Sequence, residues 1–173
     1  GTRYKPEVLE AKVDGYSIAD ILALTVEEAL EIFTTNTHVI SRLKNIQDTG
    51  LHYMTLGQSL DTLSGGEIQR VKLSRHLDSD ASGKIFVFDE PTTGLHEDDI
   101  PTLLDCFSQL IEQGNTVILI EHNLTMMTHA DWLIDVGPGA GMRGGNILYS
   151  GAPEGLLDVE DSVTARHIRR YIE

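Results

Sequence analysis

Hydrophobic and polar positions change rhythm along the chain near residue 62. Upstream, Val26, Ala29, Leu30 and Phe33 recur at helical spacing. They follow Thr25-Val26-Glu27-Glu28, a capping box whose hydroxyl and carboxylate meet the free N–H groups of a starting helix. A second helix is predicted over about 36–48, with Val39, Ile40, Leu43 and Ile46 inward and Gly50 as its stop. Residues 1–16 have weak periodicity, punctuated by Pro6 and Gly15; Tyr4, Val8, Leu9 and Val13 fit either a strand or a loop.

Past residue 62, short apolar runs alternate with helical patterns. A helix over about 65–77 leads through the polar stretch DSDASG to IFVFD at 85–89. A helix over about 98–113 is stopped by Gly114, and TVILIE at 116–121 precedes a short helix. WLIDVG at 132–137 and NILYSG at 146–151 are further strands, and Pro153 and Glu154 open helices in the tail. Apolar strands alternating with helices predict an α/β fold, a mostly parallel sheet with covering helices behind an N-terminal helical region. The pattern divides into a helical segment over 1–60, an α/β core over 61–152 and a helical tail over 153–173. Ligands of such sheets bind beyond the carboxyl ends of the strands, and Asp89-Glu90 and Glu121-His122 both fall at such ends.

Composition narrows the function classes. Acidic residues outnumber basic ones 27 to 13 in 173 residues, a formal net charge of −14. That argues against a chain that is basic as a whole and wraps nucleic acid, without excluding a local basic patch; Arg143, Arg166, Arg169 and Arg170 read as solvated surface, with contact to phosphates as the alternative. Cys106 stands alone, so there is no intrachain disulfide and no cysteine-rich zinc site in this chain; it reads as a small apolar helix residue in a reducing compartment. No apolar run approaches the roughly 18 residues of a membrane span and no signal-peptide pattern opens the chain, so a cytoplasmic location is expected. The start at Gly1, without Met, is expected of a segment cut from a larger protein.

Three places carry chemistry. In FVFDEP a strand delivers Asp89 and Glu90 together, and Pro91 halts it. Adjacent carboxylates repel and suit magnesium-assisted phosphoryl transfer, one holding the hydrated ion and the next polarising water. A strand-end acid capping a turn is the plainer alternative. In LSGGE, Ser64 occupies the N-cap position and Gly65 and Gly66 let backbone approach an anion at the helix start, where an ordinary cap is again the alternative. Arg70, Lys72 and Arg75 follow on that helix and read as a solvated cationic face, with Ile68, Val71 and Leu77 inward. His122, one residue past the acidic end of TVILIE, is placed to hydrogen-bond a phosphate or orient a water, against a purely structural histidine. Of the seven histidines, His38, His52, His76, His129 and His167 lack such a setting.

The order of these motifs resembles the ATP-binding cassette family over roughly residues 57–152: LSGGEIQR (63–70) its signature, IFVFDEP (85–91) its Walker B strand, His122 its switch histidine. TLSGGE, DEPTTGLH, IEHNL and DVGPGAGMRGG are similar, more narrowly, to the UvrA branch, ATPases that survey DNA for damage in nucleotide excision repair. GTRYKPEVL and IADILALTVEEALEIF extend the likeness to nearly the whole chain, as the signature region that follows the zinc module in such proteins. The resemblance implies a segment of the C-terminal cassette. Asp89 would help bind Mg2+ through water, Glu90 would activate water and His122 would contact the γ-phosphate. Ser64, Gly65, Gly66 and Glu67 would close over ATP held by an opposite cassette, and His96, in Thr93-Gly94-Leu95-His96, would lie where paired cassettes touch. The implied partners are a second cassette or protomer, UvrB and damaged double-stranded DNA; zinc is implied only for the parent protein, upstream of this chain. Two departures accompany the likeness. No G-x-x-x-x-G-K-[ST] is present, the one Gly-Lys being Gly83-Lys84 ahead of a strand, so the segment alone is expected to be inactive. GPGAGMRGG resembles the N-terminal cassette, whereas PTTGLH and EHNL resemble the C-terminal one. A UvrA-like paralogue tied to tolerance of DNA-binding drugs, a non-catalytic interaction module and a transporter-type cassette therefore stand as alternatives, PTTGLH counting against the last.

Overall fold

The computed structural model describes residues 4–77, 82–139 and 144–172. Part of the DSDASG stretch and Arg143 in GPGAGMRGG lie outside the described residues. The chain divides into two compact units, Gly1–Ile120 and Glu121–Glu173.

The first unit begins with four helices, α1 (Pro6–Leu9), α2 (Ile18–Ala23), α3 (Val26–Ile32) and α4 (Thr37–Asp48). Residues 4–16 take neither reading as a whole: α1 starts on Pro6, whose missing N–H is no loss at a first turn, and Val13 bridges Tyr16 across the turn at Gly15. Capping boxes open α2 at Ser17–Asp20 and α3 at Thr25–Glu28, and Asn36 caps α4. Val26, Ala29 and Leu43 form a core between α3 and α4, flanked by Leu30, Phe33, Val39 and Ile46. Gly50, at φ +74°, ends this region in the left-handed conformation that the stop required.

Helix α5 (Gly65–Ser74) leads to strand β1 (Ile85–Asp89), then α6 (Ile100–Glu112) and strand β2 (Thr116–Ile120). The strands pair in parallel, Ile85 opposite Thr116 through Asp89 opposite Ile120. Phe88 is buried and its ring lies 5.1 Å from that of Phe107 on α6, whose inner face also buries Leu103, Cys106 and Leu110. The other face of the pair is open: Ile85 is 68 % and Ile120 56 % exposed. An apolar run predicts burial on both faces, but within this unit the helices cover only one.

The second unit holds α7 (Leu124–Thr128), strands β3 (Leu133–Gly137) and β4 (Asn146–Gly151), α8 (Pro153–Leu156) and α9 (Val163–Ile172). Here the expectation of a mostly parallel sheet needs correction, because β3 and β4 pair antiparallel. Residues 138–145 join them, too short a connection for the crossover that parallel strands need. Leu133, Leu156, Ala165 and Ile168 form this unit's core, with Leu124, Met127 and Tyr149 against it. Among the described residues no helix is long and apolar enough to cross a membrane.

Candidate functional site

The carboxyl end of β1 presents Asp89 and Glu90, both exposed. The two carboxylates therefore keep their hydration, and neither needs a cation to be tolerated there. The backbone is another matter. Glu90 has φ +50°, a left-handed conformation that costs a residue other than glycine or asparagine roughly 1–3 kcal/mol. It is held on several sides. The Glu90 N–H donates to the Ile120 carbonyl of β2 at 2.8 Å, and the Thr93 N–H closes a turn onto the Glu90 carbonyl at 3.1 Å. On the edge of β1 away from β2, the Gln69 side-chain amide pairs with Asp89 as a neighbouring strand would. Its Nε2 donates to the Asp89 carbonyl at 2.8 Å, and its Oε1 accepts from the Asp89 N–H at 3.0 Å.

Ser64 caps α5 through a complete capping box. Its Oγ accepts from the Glu67 N–H at 3.3 Å and its own N–H donates to the Glu67 carboxylate at 2.7 Å. The Tyr53 hydroxyl donates to the other Glu67 oxygen at 2.6 Å. Those bonds hold the Glu67 carboxyl below its ordinary value, the Tyr53 bond foremost and the Ser64 backbone next. Burial, and then the bond to Glu67, push the Tyr53 phenol up. Glu67 thus belongs to the helix mouth as a fixed anion, which leaves Gly65 and Gly66 as the N–H groups with no partner among the described residues.

The two glycines divide their tasks. A Cβ on Gly65 would meet nothing within 4 Å, so its surface is open to a ligand. Gly66 is buried; a Cβ there would lie 3.0 Å from the Thr93 carbonyl oxygen and 3.4 Å from that of Glu90. The sequence assigns both glycines to ligand approach, whereas the fold uses Gly66 to let α5 meet the Glu90–Thr93 turn.

Arg70 overturns the expectation of a solvated cationic face. Lys72 and Arg75 are exposed, but Arg70 is fully buried, and its Nη1 donates to the carbonyls of Pro91 at 2.7 Å and Thr93 at 3.1 Å. The spacing carried the signal: Gly66, Arg70 and Leu73 share the buried face of α5 at helical intervals. Gln69, Arg70 and Tyr53 are the residues that motif reading passed over. Gln69 and Tyr53 offered no such signal, because their partners lie 20 and 14 residues away in sequence.

Beyond the turn, Gly94 has φ +75° and Leu95 packs directly on Gly50 at the end of α4. His96 is exposed; its Nδ1 accepts from the Asp98 N–H at 3.3 Å and starts the short helical turn Glu97–Asp99. The first unit therefore sets Gly66, and with it the start of α5 that carries Ser64, Gly65 and Glu67, against the Glu90–Thr93 turn, with His96 further along the same segment. His122 belongs to the second unit, exposed, with its N–H bonded to the Glu121 carboxylate at 3.1 Å.

The donor set fits a magnesium nucleotide. Among the described residues no three His, Cys, Asp or Glu side chains cluster as a protein cage for a metal. Magnesium commonly needs only one or two carboxylates, the rest being water and phosphate oxygens, and Asp89 and Glu90 meet that requirement. The tail offers less to an anion, since Arg169 is committed to the Leu157 carbonyl at 2.5 Å.

No family model matches the chain. Among curated proteins, UvrABC system protein A of Aquifex aeolicus is 44 % identical over 174 residues, covering 100 % of this chain and 19 % of that protein. Its namesake in Salmonella typhimurium is 48 % identical over 174 residues, covering 100 % of this chain and 18 % of that protein. Among solved structures, the crystal structure of UvrA2 from Deinococcus radiodurans superposes with a TM-score of 0.89 at 42 % identity, covering 99 % of this chain and 21 % of that one. The chain spans about a fifth of the length of the curated relatives it matches.

Proposed function

Because this chain belongs along its whole length to the UvrA family, we propose that it is part of the C-terminal cassette of a DNA-damage-surveying ATPase. In this reading the 1–60 region is the helical signature region, 61–152 the cassette core and 153–173 a helical tail. One observation supports it above the rest: the open helix mouth at Ser64–Gly65 and the strained Asp89–Glu90 end of β1 are built against each other across Gly66.

Each residue then has a task its position allows. Asp89 would hold magnesium through water, and the ion would offset charge on the nucleotide's phosphates. Glu90, turned out of the strand by its left-handed backbone, accepts the proton of the attacking water. The Gly65 N–H at the α5 mouth, unpartnered among the described residues, meets phosphate oxygens of a nucleotide held by the opposite cassette's P-loop, a motif absent from these residues. His122 hydrogen-bonds the terminal phosphate, and His96 sits at the contact between paired cassettes. Damaged duplex DNA, UvrB, a second cassette or protomer and a cytoplasmic setting belong to the full-length protein in this proposal. The test is Glu90→Gln in that protein: steady-state ATP turnover should fall by about a hundredfold or more, and unchanged turnover removes Glu90 as the base.

A further inference from the structure

We propose that Gln69 and Arg70 are positioning residues that hold Glu90 in its working conformation and tie it to the mouth of α5; this rests on the ATPase reading above. Glu90 is flanked by residues whose backbone is fixed from one helix. On its N-terminal side the Gln69 amide makes both bonds to Asp89, at 2.8 and 3.0 Å. On its C-terminal side the Arg70 guanidinium bridges the Pro91 and Thr93 carbonyls. Between them, Gly66 brings the first turn of α5 against the carbonyls of Glu90 and Thr93.

A left-handed glutamate persists only where its surroundings over-determine it, and here the surroundings are consecutive turns of one helix. The mouth of that helix is the surface proposed to meet the nucleotide, so whatever displaces Ser64–Gly65 displaces the Glu90 backbone with it. Arg70 points the same way. Among the described residues its Nε and Nη2 are buried with no hydrogen-bond partner, and beyond the attraction of the Glu67 carboxylate that burial is a poor arrangement if stability alone were served. Fixing the carbonyls on the far side of Glu90 accounts for it.

Gln69 is the residue to test, because it is only half-buried and its loss leaves no buried charge. In the full-length protein, Gln69→Met keeps the volume and removes both bonds to Asp89. Gln69→Asn keeps the amide but shortens its reach. Both variants should lower kcat for ATP by about tenfold or more and leave KM within about twofold, the signature of a displaced base rather than a lost grip on substrate. Arg70→Lys, which keeps the charge but cannot bridge two carbonyls as a fork, should fall between them and the parent. Added to Glu90→Gln, Gln69→Met should bring no further loss, because it acts through Glu90. A kcat within about twofold of the parent, a rise in KM at constant kcat, or an equal further loss in the Glu90→Gln background each overturns the assignment. Glu90→Gln alone separates the levels: if it abolishes turnover while Gln69→Met does not, only the positioning role fails; if it leaves turnover unchanged, Glu90 is not the base and the positioning role falls with it.

Discussion

Each of the two units buries a charged side chain, and they use it differently. In the second unit Asp135 of β3 is buried with both carboxylate oxygens taken, accepting from Ser162 Oγ at 2.6 Å and Thr164 Oγ1 at 2.7 Å. Ser162 Oγ in turn accepts the Ala165 N–H at 2.9 Å and so caps α9. In the first unit Arg70 spends one nitrogen on two backbone carbonyls and, among the described residues, leaves Nε and Nη2 without hydrogen-bond partners. A satisfied buried charge fastens an element, while a half-satisfied one marks a place where shape was kept at the expense of stability.

Substitutions can break that contrast. Asp135→Ala should have the largest effect, lowering the stability of the second unit by about 3 kcal/mol, since it strips two hydroxyls of a buried acceptor. Trp132 is the sole tryptophan and donates to Ser150 within this unit, so its fluorescence in urea reports the loss directly. Arg70→Met should cost less, about 1–2 kcal/mol by far-UV circular dichroism, because removing the guanidinium also removes its two orphaned donors. Equal losses from the two variants would erase the distinction.

Smaller effects sharpen the picture of the helix mouth. Ser64→Ala removes the N-cap of α5 and should lower thermal stability by about 1 kcal/mol. The depressed Glu67 carboxyl sets a pH dependence. Because its folded value lies below the ordinary 4.5, the stabilisation is fully present above that pH and fades as pH falls through the lower folded value. Tyr53→Phe removes the largest cause of the shift, so the loss of Tm on acidification should be shallower than in the parent. The smallest effect is a null one. Burial first, then the charges of Asp48 and Asp105, push the Cys106 thiol up to about 12, so a thiol reagent at pH 8 should label it only after unfolding.

Much of this was legible from the chain. The capping box announces α3 and the N-cap Ser64 announces α5, because each rests on partners three residues apart, although the family resemblance assigns Glu67 to a nucleotide contact instead of to its reply to Ser64. The strands at 85–89 and 116–120 follow from continuous β-branched and aromatic runs, and Gly50 and Gly114 stop helices where their positive φ is needed. The antiparallel pairing of β3 with β4 was also there to be read, in the short connection 138–145 rather than in the strands' own residues. One thing was not legible. The hold on Glu90 depends on contacts spanning 20 residues or more, and nothing in the letters Gln69-Arg70 reveals that their partners are carbonyls and an N–H of distant backbone.

Sheet edges recruit strands, and Gln69 controls where recruitment can occur. The Glu90 N–H and the Lys84 carbonyl both bond to β2, so the alternate residue Asp89 turns its N–H and carbonyl to the opposite edge of β1. There the Gln69 amide has already taken both groups. A strand added along that edge can run beside Ile85 and Val87 but must stop short of Asp89. The glutamine therefore works as a terminator for the growing sheet, keeping the rim that carries the two carboxylates clear of neighbouring backbone.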